Sequence, residues 1–132
     1  MGTPVKDRAA MIAGMAPDLS ETVWHFCTRH EADPAGALAV FEESEGRSLI
    51  LSEDQAQARG YDLGQPMAQI TLTVHSALDG VGLTAAVAGA LAAADIPCNM
   101  VAAFHHDYAF VPWEMRARAM EVLHQLAERG PA

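Results

Sequence analysis

The segment between residues 76 and 84 carries the residue types that could bind a small charged molecule. Gly80 and Gly82 flank a predicted strand-to-helix turn, where the absence of side chains lets the backbone approach a ligand closely. The free N–H groups at the start of the next helix would attract a carboxylate, and Asp79 could bind the ammonium group of the same molecule. This pairing suits a free amino acid. The residues alone also allow a purely structural interpretation, in which the glycines only permit the turn and Asp79 caps the helix.

A predicted hairpin rich in histidine offers a competing chemistry. His75, His105 and His106 could approach one another at a sheet edge, with an oxygen ligand from Asp107. Adjacent residues of a strand point to opposite faces, so only one of His105 and His106 would converge with His75. Ser76 with a histidine and Asp107 is the only set suited to nucleophilic catalysis, and nothing in its spacing selects it. We therefore predict no metal, no cofactor and no catalytic residue, and keep a metal-dependent enzyme at the His105–His106 hairpin as a weaker alternative.

Composition and charge exclude several classes of partner. The chain has 132 residues, 51% of them hydrophobic, with 8 basic against 17 acidic residues and a formal net charge of −9. A surface this acidic repels phosphate groups, so we expect neither nucleic acid nor an anionic membrane as a partner. The sequence shows no long apolar run and no signal-peptide pattern, which leads us to expect a cytoplasmic protein. Cys27 and Cys98 lie far apart in the sequence, which favours reduced, buried thiols over a disulfide.

The C-terminal half has the more regular pattern of elements. Alternating apolar residues over 70–74 predict a strand, and the apolar character of 81–94 predicts a helix covered on more than one side. Two strands over 98–104 and 108–111 follow, and then a helix that begins after Pro112. This β-α-β-β-α order supplies five of the six elements of a ferredoxin-like β-α-β-β-α-β unit, an α+β fold with helices on one face of an antiparallel sheet.

The N-terminal half is predicted to supply the missing sixth strand. Its predicted elements are a helix over 5–15, a strand over 22–28, a helix over 37–45, a strand over 48–51 and a helix over 53–59 that Ser52 caps. Gly and Pro residues near position 66 divide the chain into residues 1–66 and 67–132. A sheet short of one strand exposes an edge, so we expect Thr22–Thr28 to pair there. Alternatively, the N-terminal half is a reduced second copy of the same unit, and each copy lends the other a strand.

Residues 70–112 resemble the ACT domain, a regulatory module that senses small molecules. The ACT pattern has an Asp, a Gly and a Leu at the entry to its first helix, which Asp79, Gly82 and Leu83 match. Its second strand opens with an Asn, which Asn99 matches. The runs VHS, GLTAAV, HHD and FVP look like the bacterial ACT-like family formerly classed as a domain of unknown function.

The resemblance implies a ligand site at the loop between the first strand and the first helix. By the resemblance, the ligand-binding residues are Ser76, Leu78, Asp79, Gly80, Val81, Gly82, Leu83, Thr84 and Asn99. Two positions depart from the family pattern, because Val81 stands where Pro is usual and Asp95 where Gly is usual. The resemblance also implies a regulatory protein rather than an enzyme, and a homodimer whose site lies against a neighbouring domain. A structural dimerisation module that binds no ligand is the alternative.

Overall fold

One antiparallel sheet of six strands organises the chain. The computed structural model describes residues 12–73 and 82–129. The strands are β1 (Pro17–Arg29), β2 (Ala39–Glu43), β3 (Gly46–Ser52), β4 (Met67–Leu72), β5 (Asn99–Ala102) and β6 (Asp107–Pro112). The helices are α1 (Glu53–Ala58), α2 (Leu83–Ala93) and α3 (Arg116–Arg129), and a 3₁₀ turn over Trp113–Met115 precedes α3. The predicted α+β fold class is confirmed.

The strand order β2-β3-β1-β4-β6-β5 places β1 and β4 at the centre of the sheet. β1 has 13 residues and pairs with β4 between Pro17 and Trp24, and with β3 between Trp24 and Arg29. A strand from the N-terminal half therefore completes the C-terminal unit, as expected. The register differs from the prediction, since of Thr22–Thr28 only Val23 and Trp24 pair with β4. The bulky residues mark the strand, but β1 starts earlier and divides its length between two neighbours.

The two halves of the sheet repeat one strand order around this central pair. The order is β4-β1-β3-β2 on the N-terminal side and β1-β4-β6-β5 on the C-terminal side. This is the arrangement in which each half lends the other a strand. The N-terminal half is reduced, because the described segment between β1 and β2 contains no helix, whereas α2 follows β4. The division of the chain at residue 66 stays a prediction.

α1, α2 and α3 all pack on the same face of the sheet. The larger core on this face joins α2 and α3 to the strands and includes the fully buried Ile70, Leu72 and Leu123. A smaller core around Leu49 and Leu51 packs α1 against β1 and β3. We call these two cores together the helix-side core. They place the start of α2 and the end of β4 on one side of the sheet.

The opposite face, which we call the open face, carries an apolar patch that no described helix covers. Ile50, Met67 and Phe110 form its buried centre. Directly paired residues share a face, so Phe26, which pairs with Ile50, lies there too, with its ring edge-on to Phe110 at 5.6 Å between centroids. Phe41 shares this face, because the residue two positions earlier on β2 also pairs with Ile50.

The helix predicted over 37–45 is wrong. Residues Ala39–Glu43 form β2, which pairs with β3 in a hairpin. Gly46 opens β3 with φ 151°, a conformation that favours glycine. The local spacing of apolar residues suits a helix, but helix propensity is a weak preference, and the ladder of hydrogen bonds to β3 outweighs it.

Most other local predictions are confirmed. α1 begins after Ser52, whose hydroxyl accepts a hydrogen bond from the Gln55 N–H at 3.3 Å, as the capping box predicts. β4, α2, β5, β6 and α3 follow in the predicted order, although one 3₁₀ turn separates Pro112 from α3. The helix predicted over 5–15 lies mostly outside the described residues.

Candidate functional site

The predicted ligand-binding segment ends at the start of α2. Five of its residues lie outside the described part of the chain: Ser76, Leu78, Asp79, Gly80 and Val81. The structure describes the other four predicted site residues, which are Gly82, Leu83, Thr84 and Asn99. The first turn of α2 and the sheet edge beside it are therefore the parts of the site whose geometry can be given.

Gly82 directly precedes α2 and adopts φ 104° and ψ −15°. This left-handed conformation strains residues that carry a side chain, so a glycine is needed here. The first turn of α2 contains no acidic residue, and Gly82 has no side chain with which to cap it. Among the described residues, no side chain caps the N–H groups of this turn. Those donors and the positive end of the helix dipole can therefore receive a carboxylate.

Leu83 and Thr84 point in different directions from this first turn. Leu83 is buried in the helix-side core and fixes the start of α2 against the sheet. Thr84 is exposed, which leaves its hydroxyl open to solvent. Of these two predicted site residues, Thr84 is therefore placed to contact a ligand, and Leu83 is placed to hold the helix in position.

The start of α2 lies at the end of the sheet where β4 finishes. β4 and β5 run parallel, because both are antiparallel to β6. α2 connects the end of β4 to the start of β5, so it must return along the sheet. Its 11 residues span about 16 Å, against about 20 Å for the six residues of β4. The helix therefore returns along most of the length of β4, and Leu83 in its first turn is buried in the same core as Leu72.

The β5–β6 hairpin lies at the same end of the sheet. Asp107 pairs with Leu72 on one side and with Ala102 on the other. The turn between the strands is closed by the Ala103 N–H, which donates to the His106 carbonyl at 3.0 Å. Since Leu72 faces the helix-side core, the Asp107 side chain points to that side as well. Burial raises the pKa of the Asp107 carboxyl, and the neighbouring His106 partly offsets this rise.

Asp107 is a candidate ligand-binding residue that the sequence analysis considers only as a possible metal ligand or as part of a catalytic set. The structure places its carboxylate on the same side of the sheet as the start of α2, one strand away from the end of β4. A carboxylate there could accept a hydrogen bond from an ammonium group. The predicted order of elements already implies this position of Asp107, because the third strand of a ferredoxin-like unit starts beside the end of its first strand.

The polar side chains of the β5–β6 hairpin, including His105 and His106, do not all lie on one side of the sheet. The His106 ring packs edge-on against Tyr108 on the open face, with 6.5 Å between ring centroids, whereas Asp107 faces the helices. His105 is exposed, and His75 lies outside the described residues. Within residues 12–73 and 82–129, no group of three His, Cys, Asp or Glu side chains could hold a metal ion.

Asn99 lies apart from the other described site residues. It pairs with Phe110, so its side chain belongs to the open face, whereas Leu83 is buried on the helix side. The described residues of one chain therefore bring Gly82, Leu83 and Thr84 together but leave Asn99 on the other side of the sheet. Both cysteines are free, Cys27 buried and Cys98 half-buried, and burial raises the pKa of each thiol, which disfavours the reactive thiolate.

Two family models match the chain, and both describe an ACT domain. One covers residues 66–125 and the other covers residues 3–68. A search of curated proteins finds none that matches this chain. None of the helices in the described ranges is long and apolar enough to cross a membrane.

Several solved structures share the fold. A Vibrio cholerae protein of unknown function, described as a possible transport protein, is 35% identical, with a TM-score of 0.80 over 89% of this chain and 93% of that chain. A protein from Agrobacterium tumefaciens is 16% identical, with a TM-score of 0.72 over 86% of this chain and 89% of that one. The regulatory subunit of aspartate kinase from Thermus flavus is 12% identical, with a TM-score of 0.64 over 83% and 95% of the two chains. At these last two identities the likeness concerns the fold alone.

Proposed function

This chain belongs to the ACT domain family, and we propose on that premise that it binds an amino acid or a similar small zwitterion between β4 and α2. ACT domains are regulatory modules that bind small ligands. The segment from Ser76 to Thr84, together with Asp107, forms the proposed site. Its occupancy would control a partner or an enzyme rather than catalyse a reaction.

The observation that carries this proposal is the first turn of α2, whose N–H groups no side chain of the described residues caps. Gly82 brings the backbone into the helix with no side chain in the way, and the first turn has no acidic residue to repel an anion. The segment from Ser76 to Thr84 contains no basic residue. A ligand carboxylate must therefore be held by backbone N–H groups and the helix dipole.

A zwitterion also has an ammonium group, and carboxylates of the chain can bind it. We propose that Asp79 or Asp107 accepts hydrogen bonds from the ligand ammonium group. A carboxylate that is partly buried and costly to ionise gains most from a cationic partner, which agrees with the raised pKa of Asp107. Asn99 is left out of the proposed site because it belongs to the opposite face of the sheet.

We further propose that the protein is a cytoplasmic homodimer whose two ACT-like halves divide near residue 66. A structural pairing module without a ligand is the second candidate function. The open face favours that candidate, because the exposed Phe26 and Phe41 beside its apolar centre are typical of an interaction surface.

A thermal-shift screen with the twenty amino acids tests the proposal. We expect at least one amino acid at millimolar concentration to raise the melting temperature, because ligand that binds only the folded state stabilises it. Asp79→Ala should abolish that rise. Asp54→Ala is the matched control, since Asp54 is exposed on α1 in the other half of the chain and should leave the rise intact. A screen without a single stabilising amino acid would favour the structural module.

A further inference from the structure

We infer that the proposed site between β4 and α2 selects amino acids whose side chain carries a positive charge, and that Asp107 is the residue that imposes this selection. The inference rests on the proposed function and names the ligand class of that same site. It is carried by the surroundings of Asp107, by the contacts that the arginines make and by the charges that an amino acid brings with it.

Asp107 is a half-buried carboxylate with no cation beside it among the described residues. Its side chain lies on the helix side of the sheet, beside the end of β4. None of the ion pairs between described residues includes it. Burial raises the pKa of this carboxyl, which means that its charged form has lost hydration without gaining a partner that replaces it. A cationic group of a ligand would supply that partner.

The arginines of the chain are engaged elsewhere. The described ranges contain no lysine and six arginines, and the last of these, Arg129, is exposed and follows the oppositely charged Glu128 at the end of α3. The other five contact other groups: Arg29 the Tyr61 ring, Arg47 the Glu42 carboxylate, Arg59 the Asp33 carbonyl, Arg116 the Trp113 ring and Arg118 the Glu121 carboxylate. The described part of the chain therefore leaves Asp107 to be neutralised by a ligand.

An amino acid brings one ammonium group to two carboxylates. Its own carboxylate would bind the N–H groups in the first turn of α2. Asp79 precedes Gly82 by three residues, so the chain keeps it within about 10 Å of the start of α2. Whichever of Asp79 and Asp107 binds the α-ammonium group, the other stays unpaired. A cationic side chain would pair with it, whereas an anionic side chain would be repelled by it and by a chain of net charge −9.

Two pairs of nearly isosteric ligands separate charge from shape. Arginine and citrulline differ in the charge of the side chain, and so do glutamate and glutamine. In titration calorimetry of the full-length chain at pH 7, we expect arginine to bind about tenfold more tightly than citrulline, and glutamine about tenfold more tightly than glutamate. Both ratios should fall as salt is added, because ions screen charges that solvent can reach.

Asp107→Asn tests the residue assigned to this selection. The substitution keeps the shape of the side chain and removes its charge. Both ratios should fall to about one in this variant, because the α-ammonium group takes the one carboxylate that remains. Asp54→Asn is the matched control: Asp54 is exposed on α1 in the other half of the chain, and its replacement should leave both ratios unchanged.

Three outcomes would overturn the inference. They are a citrulline affinity equal to that of arginine, a neutral or acidic amino acid as the tightest binder of the twenty, and an Asp107→Asn variant that keeps both ratios. Binding of amino acids without regard to their charge would overturn the inference and leave the proposed function standing. Absence of binding by every amino acid would overturn the proposed function itself, and the inference with it.

Discussion

Because β1 and β4 serve both halves of the sheet, we expect a destabilising substitution in one half to lower the melting temperature of both halves equally. Leu123 of α3 is fully buried in the C-terminal part of the helix-side core. Trp24 lies on β1, where it pairs with Ser52 of β3 in the N-terminal half. Replacing Leu123 with Ala removes buried apolar contacts and leaves a cavity, which costs about 3 kcal/mol. With an unfolding entropy of about 2.1 cal/mol/K per residue, that loss lowers the melting temperature of a chain of 132 residues by about 10 °C.

The two tryptophans lie in different halves of the chain and can be followed separately. Trp24 lies on β1, where it pairs with both β3 and β4, and Trp113 follows β6, so Trp113→Phe leaves Trp24 as the single fluorescent reporter, at the junction of the two halves. In that background, Leu123→Ala should move the Trp24 transition down by the same 10 °C as the circular dichroism transition. Because β1 and β4 serve both halves, neither half keeps a complete sheet once the other unfolds.

The reciprocal change completes this test. Leu49→Ala in the N-terminal core should lower the transition reported by Trp113 in a Trp24→Phe background, because Leu49 is as deeply buried in its own core. The reasoning is refuted if the Trp24 signal keeps its original midpoint after Leu123→Ala while circular dichroism shows two separate steps. The halves would then be independent domains that only touch.

Three further changes test individual features. Ser52→Ala removes the side-chain acceptor of the Gln55 N–H and should cost about 1 kcal/mol in urea unfolding. Gly46→Ala should cost more than 1 kcal/mol in the same assay, because its φ of 151° disfavours a side chain and the new Cβ would lie 3.0 Å from the Arg29 carbonyl oxygen. Asp107→Asn should stabilise the folded chain at pH 7 but not at about pH 3: burial raises the pKa of the carboxyl, so the charged form disfavours folding and the protonated form does not. The unfolding free energies of wild type and variant should therefore diverge as the pH rises through that pKa, and a constant difference would contradict the cause assigned to the shift.

The sequence predicted the elements that are determined by interactions between residues only a few positions apart. The capping box at Ser52 identified the start of α1, and the alternating residues 70–74 identified β4, because caps and two-residue periodicity act over a few positions. β2 was missed because residues 37–45 satisfy a helical spacing and become a strand only through pairing with β3. The length of β1 was underestimated for the same reason, since its first residues are held by β4, about fifty positions away in the sequence.

Local sequence likewise identifies some residues of the candidate site and not others. Gly82 was identified from the sequence because a glycine permits a strand-to-helix turn and lets the backbone approach a ligand, and the structure adds that it adopts a left-handed conformation. The location of Asn99 on the open face depends on strand register, which the sequence does not display, whereas the approach of Asp107 to the end of β4 follows from the strand order of a ferredoxin-like unit. The open face was also hidden, because the residues that form it come from strands in both halves of the chain.

Titration followed through the backbone amide signals tests the central claim most directly. The 15N-labelled chain is titrated with the amino acid that stabilises it, and the amide shifts of every residue are recorded by two-dimensional NMR. The account predicts saturable shifts at Gly82, Leu83 and Thr84, where free N–H groups would bind the ligand carboxylate, and little change at Gly36 and Gly60 in the other half. Amide signals at the start of α2 that do not move, or shifts confined to other parts of the chain, would contradict it.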